Sequence, residues 1–354
     1  MKKILIIISL ILFVSGCYNY KELNNYAIVT GIAIDKSQKG YEVSLLVSKS
    51  KNNDSNDPII YSKSGKTINE AIKEIELTLP KEIYIGHLSI LIISDDIAKD
   101  GINKTINYFL EEEYKNNFFI VLSKNCKALE ILQTNSKLTE FPSQNLANNI
   151  KITKKNQANV LLTTFNTLLY KLINKGTNLV FTSFEIEDKQ AKISSMGIFK
   201  DDKLIDWANE NESIGINIIN NNVDKLLIET KYGSTTIKKI TCKKILKDKN
   251  VFLDISANGT INAKNKIEET NIKEETKRKL ENYAINAIKI AQINETDIFD
   301  IGLSTYQKSA KKFIKIDNWN RYFKKINFIV KVKLNINSNN LQNKKIERIT
   351  NEKS

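Results

Sequence analysis

Apolar and polar positions change period several times along this chain, and each period names an element. Tyr41, Val43, Leu45 and Val47 alternate with polar neighbours, the mark of a half-buried strand. Lys36 to Gly40 supply turn residues between that strand and the β-rich run from Ala27 to Ile34. Thr67 with Glu70 reads as a capping box. It opens a helix with Ile68, Ala71, Ile72, Ile75 and Leu79 on one face and Pro80 as its stop. Leu88–Ile93 and Phe118–Leu122 are unbroken apolar runs, suited to central strands buried on both sides. Between them, Asp95 or Asp96 caps a helix carrying Ile102, Ile106, Phe109 and Leu110 on one side. Helices are also expected at 127–133, 143–150 and 158–174. Strand and helix alternate through this half, which predicts layers of helix on sheet.

The next stretch is dominated by strands, expected at 180–187, 192–199, 204–207, 226–231 and 236–246. Val251, Leu253, Ile255 and Ala257 then alternate cleanly. Residues 264–293 read as a long Lys/Glu-rich helix with Leu280, Ala284, Ile288 and Ala291 along one side, followed by a helix over 297–312. Ile326, Phe328, Val330, Val332, Leu334 and Ile336 alternate with polar residues, the clearest two-residue period in the chain. The expected fold class is α+β (mixed α/β), with mixed sheets flanked by helices in three domains. These are an N-terminal α/β domain over 27–190, a strand-rich middle domain over 191–260 and a C-terminal α+β domain over 261–354 that ends in a polar tail.

The first residues follow another logic. Lys2 and Lys3 precede an apolar stretch from Ile4 to Val14, and Ser15-Gly16-Cys17 follows. That is the plan of a secretory signal peptide. The stretch is too short for a membrane-spanning helix, which needs ~20 residues. Val14-Ser15-Gly16-Cys17 resembles a lipobox, in which the Cys thiol takes a diacylglyceryl group and the bond before it is cut. Residues 1–16 are then a lipoprotein signal peptide, residues 17–26 a lipidated tether, and Cys17 the lipidation site. Two acyl chains hold stably where one holds only marginally.

Composition adds limits. The 354 residues carry a net charge of +14 and 41% hydrophobic residues, enough for real cores. The charge reads mainly as a Lys-, Asn- and Ile-rich composition, with attraction to an anionic surface as a secondary effect. An exported chain without a reader motif has no nucleic-acid partner. Beside Cys17 stand only Cys126 and Cys242, too few for a disulfide framework, and both are expected to be reduced.

Candidate chemistry is sparse. The single histidine, His87, cannot supply a histidine-rich metal site, and it reads as structural. Gly65-Lys66-Thr67 looks like the end of a phosphate-binding loop, but Ile60 stands where that loop needs Gly. Adjacent carboxylates at Asp95/Asp96, Glu111–Glu113, Asp201/Asp202, Glu268/Glu269 and Glu274/Glu275 read as solvated surface charges, since sequence neighbours do not face each other on a helix. No catalytic, metal or cofactor residue is named, the chain is not read as an enzyme, and a binding or assembly role is the default.

A family resemblance sharpens that default. Cys17 is followed by Tyr18-Asn19-Tyr20-Lys21-Glu22-Leu23-Asn24 and then Ala27-Ile28-Val29-Thr30-Gly31-Ile32-Ala33-Ile34-Asp35. Gly86-His87-Leu88, Leu91-Ile92-Ile93 and Gly101-Ile102 come next, then Met196-Gly197-Ile198-Phe199-Lys200-Asp201-Asp202-Lys203-Leu204. Asp300-Ile301-Gly302 with Trp319 and the alternating strand close the series. In this order the blocks resemble the Ger(x)C family of spore-germination lipoproteins, the C subunits of germinant receptors. Tyr18 stands where the family usually has Trp, and Asp206-Trp207-Ala208 replaces a more typical Gly-Trp-Leu. The resemblance implies a three-domain, non-catalytic protein on the outer face of the spore inner membrane. Its implied partners are two integral membrane germinant-receptor subunits, and membrane lipid through diacylated Cys17. The competing expectation is a solute-binding lipoprotein of a transporter, with two lobes around a ligand cleft.

Overall fold

The structure, a computed structural model, describes residues 25–48, 59–111, 117–134, 142–261, 263 and 265–338. Cys17, the signal peptide, most of the tether, Glu112, Glu113 and the polar tail lie outside the described residues.

Continuous apolar runs build the first sheet. Strands β1 (Tyr26–Ser37), β2 (Gly40–Ser48) and β3 (Ile59–Gly65) form an antiparallel meander. β4 (Glu82–Tyr84) and β5 (Ile90–Ser94) both pair parallel to β1. β6 (Phe119–Ser123) and β7 (Val180–Glu187) continue the parallel centre, and β8 (Gln190–Lys200) and β9 (Lys203–Ala208) close it antiparallel. The order is β3-β2-β1-β5-β6-β7-β8-β9, with β4 beside β1.

A parallel sheet needs cover on both faces, and alternate residues of one strand serve the two covers. Leu91 and Ile93 of β5 pack toward α1 (Ile68–Glu76), α2 (Asp95–Asp100), α3 (Asn103–Glu111) and α6 (Phe165–Ile173). Ile90 and Ile92 pack toward α4 (Ala128–Gln133) and α5 (Pro142–Asn156). The Thr67 hydroxyl caps α1 by accepting from the Glu70 N–H, but the Glu70 carboxylate accepts from the Lys66 N–H and not from that of Thr67. α1 ends at Glu76, ahead of Pro80. Ser94, one residue before the expected aspartates, caps α2. Gly101, at φ +121, splits the single expected helix into α2 and α3. The helix expected from 158 starts only at Phe165, because the chain before it runs extended along β7, where Leu161 exchanges hydrogen bonds with the Thr182 hydroxyl.

The second sheet has the order β10-β11-β12-β13. β10 (Leu226–Thr230), β11 (Gly233–Lys247) and β12 (Asn250–Ile261) are antiparallel, and β13 (Asn327–Ser338) lies parallel to β12. Such a pair needs a long crossover, here α8 (Lys266–Ile293), α9 (Ile301–Lys308), α10 (Ala310–Ile314) and α11 (Trp319–Lys324). One face of this sheet packs on α7 (Glu210–Ile219), α8, α9 and α11. α7 is not expected from the sequence. Its Ile214, Ile216, Ile218 and Ile219 are all buried, so no exposed stripe marks its period. A full capping box between Asn209 and Glu212 starts it. Gly215 lets α7 meet α8 closely, since a Cβ there would overlap the Tyr283 carbonyl.

Strand pairing crosses both internal boundaries of the expected three-domain division. β7 and β8 straddle 190/191, and β12 runs through 260/261. Among the described residues, no helix is long and apolar enough to cross a membrane.

Candidate functional site

His87 is exposed on the loop between β4 and β5, edge-on to Tyr84 with ring centroids 5.8 Å apart. Gly65 closes β3, and Lys66 and Thr67 serve the α1 cap, so these letters build a helix start. Cys126 and Cys242 are free, and burial pushes each thiol up to about 11.

Asp95, Asp202, Glu269 and Glu275 are not the solvated charges expected of them; the Glu269 side chain is 22% exposed and pairs with Lys273. The side chain of Asp95 is 15% exposed and pairs with Lys99 at 2.7 Å, and that of Glu275 is 13% exposed. Asp202 is half-buried; its backbone carbonyl accepts from the Ile102 N–H at 2.9 Å and its carboxylate faces the Asn103 N–H at 3.4 Å. It thereby fixes the α2–α3 break against the β8–β9 turn. Sequence adjacency says nothing about such long-range partners.

The densest polar constellation lies where the two sheets meet, around residues 297–302. Asp297 is fully buried on the loop between α8 and α9. Its Oδ1 accepts from the backbone N–H groups of Phe299 (3.0 Å) and Ile301 (3.3 Å). Its Oδ2 accepts from the Gly302 N–H (2.7 Å) and the Trp319 indole N–H (2.9 Å). Burial pushes the Asp297 carboxyl up to about 6, against the opposing pull of the Gly302, Phe299 and Trp319 donors. A buried carboxylate without partners is costly, and these four donors offset part of that cost.

Asp300, three residues on, sits in the left-handed region at φ 59. Burial alone would raise its carboxyl, but Lys171, Thr177 and the charge of Lys244 hold it below the usual carboxylate range. The Lys171 ammonium is 2.8 Å away, and the Thr177 hydroxyl donates a short bond to the same oxygen. Burial pulls the Lys244 ammonium down, with Asp300 opposing; it donates to the Phe299 carbonyl at 2.6 Å.

These contacts join the two halves. Lys171 on α6 and Thr177 in the α6–β7 connection belong to the first half, whereas Asp300 and Lys244 belong to the second. The Asn178 N–H donates to the Asp297 carbonyl at 2.8 Å, and Leu303 N–H to the Gly176 carbonyl at 2.8 Å. Gly176 at φ +74 and Gly302 pass so closely that a Cβ on either would strike the other's backbone. From the β8–β9 side, Asp201 N–H donates to Asn178 at 2.9 Å, and the Phe199 carbonyl accepts from the Thr296 hydroxyl at 2.6 Å. The arrangement fastens one half of the molecule to the other and leaves its acids occupied by partners.

The structure therefore brings together two blocks that stand far apart in sequence, Phe199–Asp202 and Asp300–Gly302 with Trp319. Asp297, Lys171, Thr177, Asn178 and Lys244 belong to the same site without having been singled out by any motif. Asp297, three residues before Asp300 in an otherwise apolar stretch, was the one available signal.

Comparison with known proteins gives one answer over most of the chain. A family profile described as "Spore germination protein N-terminal domain" matches residues 19–186. A second, "Spore germination B3/ GerAC like, C-terminal", matches residues 194–340. The chain is 22% identical over 396 residues to "Spore germination protein KC" of Bacillus subtilis (strain 168), covering 97% of each. It is 24% identical over 211 residues to "Putative spore germination protein YfkR" of the same organism, covering 55% of this chain and 54% of that protein. Among solved structures it is similar in fold to that titled "Crystal Structure of the GerBC protein". The TM-score is 0.55 at 14% identity, over 90% of this chain and 99% of the other.

Proposed function

Because the chain belongs to the Ger(x)C family of germinant-receptor C subunits, we propose that it is the lipid-anchored, non-catalytic subunit of a nutrient germinant receptor, acting in spore germination beside two integral membrane subunits. The observation that carries this reading is the pair of family matches, which together run from residue 19 to residue 340. The resemblance of Val14–Cys17 to a lipobox supports the anchor. Diacylation confines the protein to the outer face of the spore inner membrane and raises its effective concentration near partners in the same plane. The charged groups at the joint between the sheets are engaged in holding the halves together, which suits a body that acts through its surfaces.

The test is Cys17→Ala in the native locus. The variant accumulates but leaves the membrane fraction, and nutrient-triggered germination is lost. Normal germination from a well-expressed variant would overturn the reading.

A further inference from the structure

The second sheet buries one face beneath α7, α8, α9 and α11; its other face has no helix or strand over it among the described residues. The strand register fixes what that face presents. Ile245, Phe252 and Ile329 form one cross-strand row. The next row is Lys243, Asp254 and Lys331, and then Thr241, Ser256 and Lys333. Lys239 and Lys247 stand in the outer rows, where Asn335 and Asn327 donate to Asn258 and Asn250, each at 2.9 Å. All five lysines are exposed, and none forms an ion pair with a described residue. Asp254 is the acid among them on these three strands.

From Lys239 to Lys247 the face runs roughly 27 Å, and about 10 Å across three strands. Five positive charges spread over that area match no single anionic group. Lysine ammoniums are strongly hydrated point charges on flexible stems, without the planar fork that reads a fixed carboxylate. A face of this kind complements many mobile phosphates. The apolar row supplies a shallow strip that contacts the headgroup layer without entering a pocket.

We propose that this sheet face rests on an anionic phospholipid surface. The inference uses the anchored reading for proximity, since a tethered chain samples the bilayer within the short reach of screened charges, about 8 Å at physiological salt.

The test is acylation footprinting of the full chain by mass spectrometry. It is mixed with vesicles of phosphatidylcholine alone, or of phosphatidylcholine with a minority of phosphatidylglycerol. On the anionic vesicles, labelling of Lys239, Lys243, Lys247, Lys331 and Lys333 falls several-fold, half-molar salt restores it, and exposed Lys277 on α8 is unchanged. Equal labelling of the five on both vesicle types overturns the proposal. So does shielding that needs the integral membrane subunits and is absent on vesicles, which assigns the face to a protein. Flotation with the neutral vesicles reads the lipid anchor by itself. A chain that fails to float there defeats the anchor, while shielding on anionic vesicles still decides the face.

Discussion

Strands β5 and β12 both lie inside their sheets, yet they are written in different alphabets. In β5, Ile90 to Ser94 are buried without exception, because helices cover both faces of the first sheet. In β12, buried Val251, Leu253, Ile255 and Ala257 alternate with more exposed residues, because no described helix or strand covers one face of the second sheet. The first sheet spends its side chains on two cores. The second turns half of them toward a face that no described helix or strand covers.

The comparison breaks first at a doubly covered position. Ile92→Ala leaves a cavity beneath α4 and α5 and should lower the unfolding free energy by ~2–5 kcal/mol in urea titrations. A loss as small as that at an exposed site would mean that the second cover is loose.

The joint between the sheets gives a pH-dependent test. Asp297 is raised from 3.8 to about 6 in the folded state. The folded protein therefore binds this proton more tightly than the unfolded chain does. The stabilisation from that proton is complete below about 3.8 and is lost as pH rises through about 6, a change of up to about 3 kcal/mol. Asp300 acts in the opposite sense. Its folded value is lowered, so its contribution is present at neutral pH and is lost as pH falls below the ordinary 3.8. Unfolding free energies measured between pH 4 and pH 7 should decline toward neutrality, and Asp297→Asn should flatten that slope. The variant also loses ~1–3 kcal/mol, because an amide NH₂ then faces N–H donors. A slope that survives in Asp297→Asn would assign it to another group.

The smallest effect is expected on that face of the second sheet. Ile329, half-buried beside Phe252 in the sheet, should lose about 1 kcal/mol on Ile329→Ser, well below the loss at Ile92. A loss approaching that of Ile92→Ala would show that something covers this face.

Much of the fold was legible because its periods were. The alternation from Ile326 to Ile336 marks β13, and the run from Leu88 to Ile93 marks β5, each to within two residues. α7 was hidden because enclosure on every side erases the polar face that reveals a helix; its readable trace is the Asn209/Glu212 cap. Gly101 looked like an interior residue, and only its backbone angle shows the break. The site at the joint was half legible. Asp300-Ile301-Gly302 and Trp319 stood out as family motifs, but Lys171 lies 129 residues from its partner Asp300, beyond the reach of any local pattern. Cys17 rests on the sequence and the family alone.

Strand β13 is placed by residues far from its neighbour in the chain: Asn327 meets Asn250 across 77 positions. A chain made or exported from its amino end exposes β12 before the strand that covers its second edge has emerged. During that interval β12 offers an unpaired ladder of backbone groups, the kind of edge that recruits foreign strands. The second sheet must therefore wait for almost the entire polypeptide. A product cut short before Asn327 would carry a complete first sheet beside an adhesive, unfinished one.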